Sequence, residues 1–168
     1  SWEGVLEVAD RAVHEVPEGD SIVLFGLDQL LHGCPFPTAL EMDQIFGDRV
    51  AAIIALSQHK AAVTTVALRE LGWADQPPDN PVGGTFGRLP DGRLDGTADE
   101  VPAVLALIKP ALARLGGQPL GQAASYLAAM SRVGITTVGD MAYDDTMQAP
   151  YEALCSLPQL PMRVSVYH

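Results

Sequence analysis

Histidine, carboxylate and cysteine side chains are the groups with which this chain could do chemistry, and the histidines and cysteines are sparse. The histidines are His14, His32, His59 and His168, and no two stand at HxH or HxxxH spacing. A three- or four-ligand metal site would have to gather groups from remote segments. No metal is therefore expected to be bound by these 168 residues alone. Cys34 and Cys155 lie far apart without metal-ligand spacing and read as two reduced, partly buried thiols. No GxSxG elbow is present, and Cys34 has no neighbouring base. The glycine clusters VGGTFG and LGGQPLG neither follow a strand in the dinucleotide-binding manner nor end in GK[ST], so they read as turns.

Three positions stand out by their place rather than their spacing. His59 follows the apolar run RVAAIIAL, Asp140 follows ITTVG, and Asp28 follows SIVLFGL. The carboxyl ends of parallel strands are where α/β sheets carry ligand-contacting residues. His59 there can exchange a hydrogen bond with a substrate, or hold its loop through a backbone contact. Asp140 can contact a substrate amine, orient a catalytic histidine, or cap the next turn. Asp28 is a third substrate-binding candidate, against the plainer reading of a solvated loop carboxylate.

The elements that must position these groups follow from hydrophobic periodicity. Trp2, Val5, Leu6, Ala9, Ala12, Val13 and Val16 recur at helical spacing, and Pro17-Glu18-Gly19-Asp20 stops that helix. Ser21–Leu27 and Arg49–Leu56 are short continuous apolar runs of the kind that form buried strands. Thr38 with Glu41 fits a capping box for a helix at Ala39–Phe46. After His59 the sequence predicts a helix from about Ala61 to Leu71, ended by Gly72. A turn at Pro90-Asp91-Gly92-Arg93 predicts a small hairpin over Thr85–Leu94. The stripe from Val101 to Leu115 predicts a helix that Pro110 should kink or divide. Helix Leu120–Val133, strand Ile135–Val138, a helix from Asp145 to Ser156 with Asp144 and Asp145 at its start, and strand Met162–Tyr167 then predict a parallel βαβ unit. That last strand runs up to the end of the sequence with an open edge that needs a partner. The expectation is one piece of a larger α/β enzyme.

Composition narrows the partners. Apolar residues make up 48% and charged residues 18%, a globular balance. The formal net charge of −11 argues against nucleic acid and anionic membrane, both of which need basic patches. No apolar run approaches the length of a membrane span, and the amphipathic start has no signal-peptide pattern. A cytoplasmic location is expected.

The order of segments resembles the amidohydrolase superfamily, in the subgroup that includes N-substituted formamide deformylases. SWEGVLEVADRAV is similar to the first barrel helix, and Gly26-Leu27-Asp28-Gln29 to a Gly-aromatic-Asp-Gln turn with leucine in the aromatic place. Pro37-Thr38 matches a helix start. Ser57-Gln58-His59 with Thr64-Thr65-Val66-Ala67-Leu68 resembles a strand, an Asp-Gly-His and an Asn-Ser-x-Ala-Leu helix; the histidine and the Ala-Leu pair match, while the Asp, Gly and Asn do not. Pro81-Val82-Gly83-Gly84 and Asp91-Gly92 resemble a Pro-rich loop and hairpin, and Gly134–Met141 a Gly-Ile-Thr-Thr/Ser-Val-x-Asp-Met strand. The family often has histidine where this chain has Gly139.

The resemblance implies part of a (β/α)₈ TIM barrel of a metal-dependent hydrolase, with an α+β insertion and a small hairpin. Residues 1–27 would be the first barrel helix and the following strand, 28–115 the insertion with the hairpin near 85–94, and 116–168 a barrel helix–strand–helix–strand unit. It implies hydrolysis of an amide-like C–N bond in a small-molecule substrate by metal-activated water, the metal in the parent being divalent, zinc by expectation. The family's ligands are an HxH, a lysine, two further histidines and an Asp; they would lie before Ser1 and after His168. His59, Asp140 and Asp28 would then line the substrate pocket, with no catalytic residue in this chain. The alternative is a free-standing acidic α/β module that binds a ligand or partner without catalysis. Self-association through exposed sheet edges is expected in either case.

Overall fold

A computed structural model describes residues 1–115, 119–141 and 148–167. The chain divides into two units, Ser1–Gly116 and Gly117–His168.

The first unit is built on β2 (Ala51–Ala55), whose residues are all buried because helices cover both sides. Alternation splits them. Ala52 and Ile54 face a cluster with Ala61, Val63, Phe86 and Ala98 and with helices α4 (Thr65–Glu70) and α5 (Val101–Ala113). Ala51, Ile53 and Ala55 face Ala9 of α1 (Trp2–Glu15) and Met42 and Phe46 of α3 (Ala39–Phe46). Each large apolar side chain sealed this way contributes about 1.5–3 kcal/mol of transfer free energy. β1 (Ile22–Leu27) pairs parallel with β2, then β3 (Lys60–Val63), β5 (Leu94–Asp99) and β4 (Thr85–Arg88) follow in antiparallel pairs. The result is an open mixed sheet of five strands in the order β1-β2-β3-β5-β4.

Local chemistry sets the helix ends. Thr38 and Glu41 form the expected capping box, and the Thr38 backbone N–H and hydroxyl hold the Glu41 carboxyl below its ordinary range. Thr64 makes no side-chain cap for α4. Asp43 of α3 takes over, accepting from the Thr65 N–H at 2.8 Å and its hydroxyl at 2.5 Å. The buried Thr64 hydroxyl instead donates to the Arg49 carbonyl at 2.8 Å and accepts from the Ala51 N–H at 3.2 Å, stitching the start of β2 to the end of β3. The Arg49 guanidinium donates to the carbonyls of Val16, Pro17 and Asp20 at 3.2, 2.8 and 2.9 Å, placing a cation at the carboxyl end of α1.

One sequence expectation is corrected. Residues 60–63 are a strand, not the first turn of a helix, because Ala61 and Ala62 are needed between β2 and β5, where only small side chains leave room for helices on both faces. The helix starts later, at Thr65. Gln29–His32 forms a short helix, α2. Of the two outcomes expected at Pro110, a kink or a division, division does not occur: α5 runs unbroken from Val101 to Ala113.

The second unit contains α6 (Pro119–Arg132), β6 (Thr137–Asp140), α7 (Gln148–Cys155) and β7 (Arg163–Val166). β6 and β7 pair in parallel, as the βαβ reading requires, around Leu127, Leu154 and Met162. Asp144 and Asp145, expected at the start of α7, lie outside the described residues.

Candidate functional site

Strand directions decide which loops meet. β1 runs with β2, β3 runs against β2, and β5 runs against β3. The carboxyl ends of β1, β2 and β5 therefore emerge together with the amino end of β3. That end of the sheet carries Asp28, Ser57, His59, Lys60, Asp99 and Glu100.

His59 sits in the hairpin between β2 and β3, not on a crossover from a parallel strand to a helix. Its Nδ1 lies 2.6 Å from Glu100 Oε2, its backbone N–H donates to Ser57 Oγ at 3.3 Å, and its carbonyl accepts from the Glu100 N–H at 2.8 Å. Lys60 Nζ donates to Asp99 Oδ1 at 2.6 Å, across the register pair Lys60–Asp99. A histidine–carboxylate contact and a Lys–Asp ion pair thus stand side by side where β3 begins and β5 ends.

The backbone here is strained. Among the described residues, the non-glycine positions with positive φ are Gln58 at 64° and Glu100 at 70°. With ψ at 147°, Glu100 lies close to a region that belongs almost entirely to glycine. Each such residue costs on the order of 1–3 kcal/mol and persists only where its surroundings hold it. Both flank the His59–Glu100 contact.

Asp28 is at the same sheet end, but its carboxylate is engaged as the cap of α2, accepting from the N–H groups of Leu30 and Leu31 at 2.9 and 3.0 Å. A cavity of about 200 Å³ opens beside it, lined by Asp28, Gln29, Phe36, Ser57 and Lys60 among others. Asp28 and His59 are brought to one end of one sheet; Asp140 belongs to the second unit.

Asp140 ends β6, and the Tyr151 hydroxyl of α7 donates to its Oδ2. That bond, followed by burial and the carboxylate charge, pushes the Tyr151 phenol up to about 12. Its neighbour Gly139 lies under the Tyr167 ring: a Cβ there would come within 3.2 Å of the ring. Any side chain at 139 requires the ring to give by a few tenths of an ångström. Among the described residues no three His, Cys, Asp or Glu side chains are grouped to hold a metal ion.

Lys60, Asp99, Glu100 and Tyr151 were not singled out in the sequence. The Glu100–His59 pairing spans 41 positions and leaves no local signal, since it depends on β5 returning beside β3. Tyr151 is an ordinary helical residue until α7 packs beside β6.

No family model and no curated protein sequence matches this chain. Among solved structures, an uncharacterized metal-dependent hydrolase from Pyrococcus horikoshii OT3 is similar over 99% of this chain and 31% of its own, with a TM-score of 0.57 at 18% identity. An uncharacterized metal-dependent hydrolase from Pyrococcus furiosus is similar over 96% of this chain and 31% of its own, with a TM-score of 0.52 at 20% identity. The chain spans about a third of the length of these proteins, and the likeness is one of fold.

Proposed function

We propose that this chain is the pocket-building portion of a metal-dependent amidohydrolase that cleaves an amide-like C–N bond with metal-activated water. The observation that carries this reading is that nearly the whole chain follows one part of the fold of two metal-dependent hydrolases. The ordered motifs from Ser1 to Met141 support it as well. In this reading the second unit is a stretch of a (β/α)₈ barrel, and its parallel β6–α7–β7 run is the form such a stretch takes. In the first unit, residues 1–27 are the first barrel helix and the following strand, and residues 28–115 are an insertion.

The metal, zinc or another divalent ion, is held by residues outside these 168. When bound it would activate the attacking water. This chain's share is to position substrate: His59 from the β2–β3 hairpin, Asp140 from the end of β6, and the surroundings of Asp28. The substrate is a small molecule, and the enzyme is cytoplasmic. Among the described residues no helix is long and apolar enough to cross a membrane.

The test is an amide-hydrolysis assay on the native protein isolated from its source, beside the 168-residue chain alone. We expect activity in the native protein that a chelator removes and zinc restores, and none in the isolated chain. A native protein without chelator-sensitive hydrolysis of amides or formamides contradicts the proposal and favours a non-catalytic binding module.

A further inference from the structure

His59 and Glu100 are tied twice, by the backbone bond of 2.8 Å and by the side-chain contact of 2.6 Å. An ionised carboxylate only accepts hydrogen bonds, so when the imidazole is neutral the proton at this contact must sit on Nδ1. The other nitrogen, Nε2, then carries a lone pair. The His59 side chain is 57% exposed, so Nε2 is within reach of a ligand. Among the described residues Nε2 makes no hydrogen bond.

We propose that Glu100 is a positioning residue that fixes His59 as the Nδ1–H tautomer, so that Nε2 accepts a hydrogen bond from an N–H or O–H donor of the substrate. The charges around the pair select in the same direction. Lys60 is neutralised by Asp99, and with His59 neutral the Glu100 carboxylate leaves the group net negative. This corner therefore takes a donor, such as a secondary amide N–H, and disfavours a carboxylate or phosphate. The Glu100 N–H bond to the His59 carbonyl ties the two backbones beside this contact. The inference deepens the proposed pocket role of this sheet end and rests on it for the identity of the ligand, but not for the tautomer.

The experiment is a long-range ¹H–¹⁵N correlation spectrum of the histidine rings of this chain, at a pH where His59 is neutral, with assignment by His59→Gln. We expect the proton on Nδ1 and the far-downfield resonance of a bare nitrogen at Nε2. In Glu100→Gln, whose amide can accept or donate, the two tautomers should mix while the remaining amide spectrum stays in place. A native ring protonated on Nε2 overturns the assignment, and the native spectrum decides this even if a variant fails to fold. Titration with N-methylacetamide should move Nε2 upfield, and N,N-dimethylacetamide, which has no N–H, should not. Equal responses to the two amides overturn the donor assignment. Neither result depends on whether the native protein hydrolyses amides, so failure here is distinguishable from failure of the proposed function.

Discussion

At the scale of single residues, polar contacts made across long stretches of sequence carry both the architecture and the candidate site. Asp43 caps a helix that its own Thr64 leaves uncapped. Asp43→Ala should lower the stability of the first unit by about 1 kcal/mol, the ordinary cost of a lost N-cap, read from the midpoint of urea unfolding. An unchanged midpoint would mean water replaces the carboxylate at no cost. Tyr151 gives a pH-dependent counterpart in the second unit. Its folded phenol is pushed from the ordinary 10.0 up to about 12 by its bond to Asp140. Between those values the folded state holds more protons than the unfolded one, so stability must fall as pH rises through the window. The full contribution is present below pH 10.0, and most of it is gone by about 12. Unfolding of the native chain should be more alkali-sensitive than that of Tyr151→Phe, which has no phenol to titrate. Equal pH profiles would remove the Asp140–Tyr151 bond from the account.

At the scale of elements, the sheet ends on β1, which has a strand neighbour on one side only among the described residues. Phe25 on this edge strand is 59% exposed. An open, apolar edge invites another strand. Phe25→Lys should therefore leave folding within about 0.5 kcal/mol of the parent and reduce any self-association, as measured by sedimentation. Association that persists unchanged places the contact elsewhere. The strands that could be read in the sequence are those whose apolar residues run together: SIVLFGL became β1 and RVAAIIAL became β2. The Thr38–Glu41 capping box was legible for the same reason, since both partners lie within one turn. β3 was not legible. Lys60-Ala61-Ala62-Val63 has helical propensity, and only its place between two strands makes it extended. The site divided the same way. His59 was visible as a residue after an apolar strand, whereas its carboxylate partner came from β5, which no local pattern links to it.

At the scale of the whole molecule, the chain is acidic, with a formal net charge of −11, and its larger sheet is an open mixed one of five strands. Its fold runs along roughly one third of two metal-dependent hydrolases. Its described residues gather no metal-binding set. As proposed above, the chain is one part of a larger metal-dependent hydrolase. The most direct test is the intact mass of the native protein, captured from its source with an antibody raised against this sequence. The account predicts a polypeptide several-fold heavier than 168 residues, carrying this sequence within it. A native polypeptide of 168 residues would contradict it and make the chain a complete binding or interaction module.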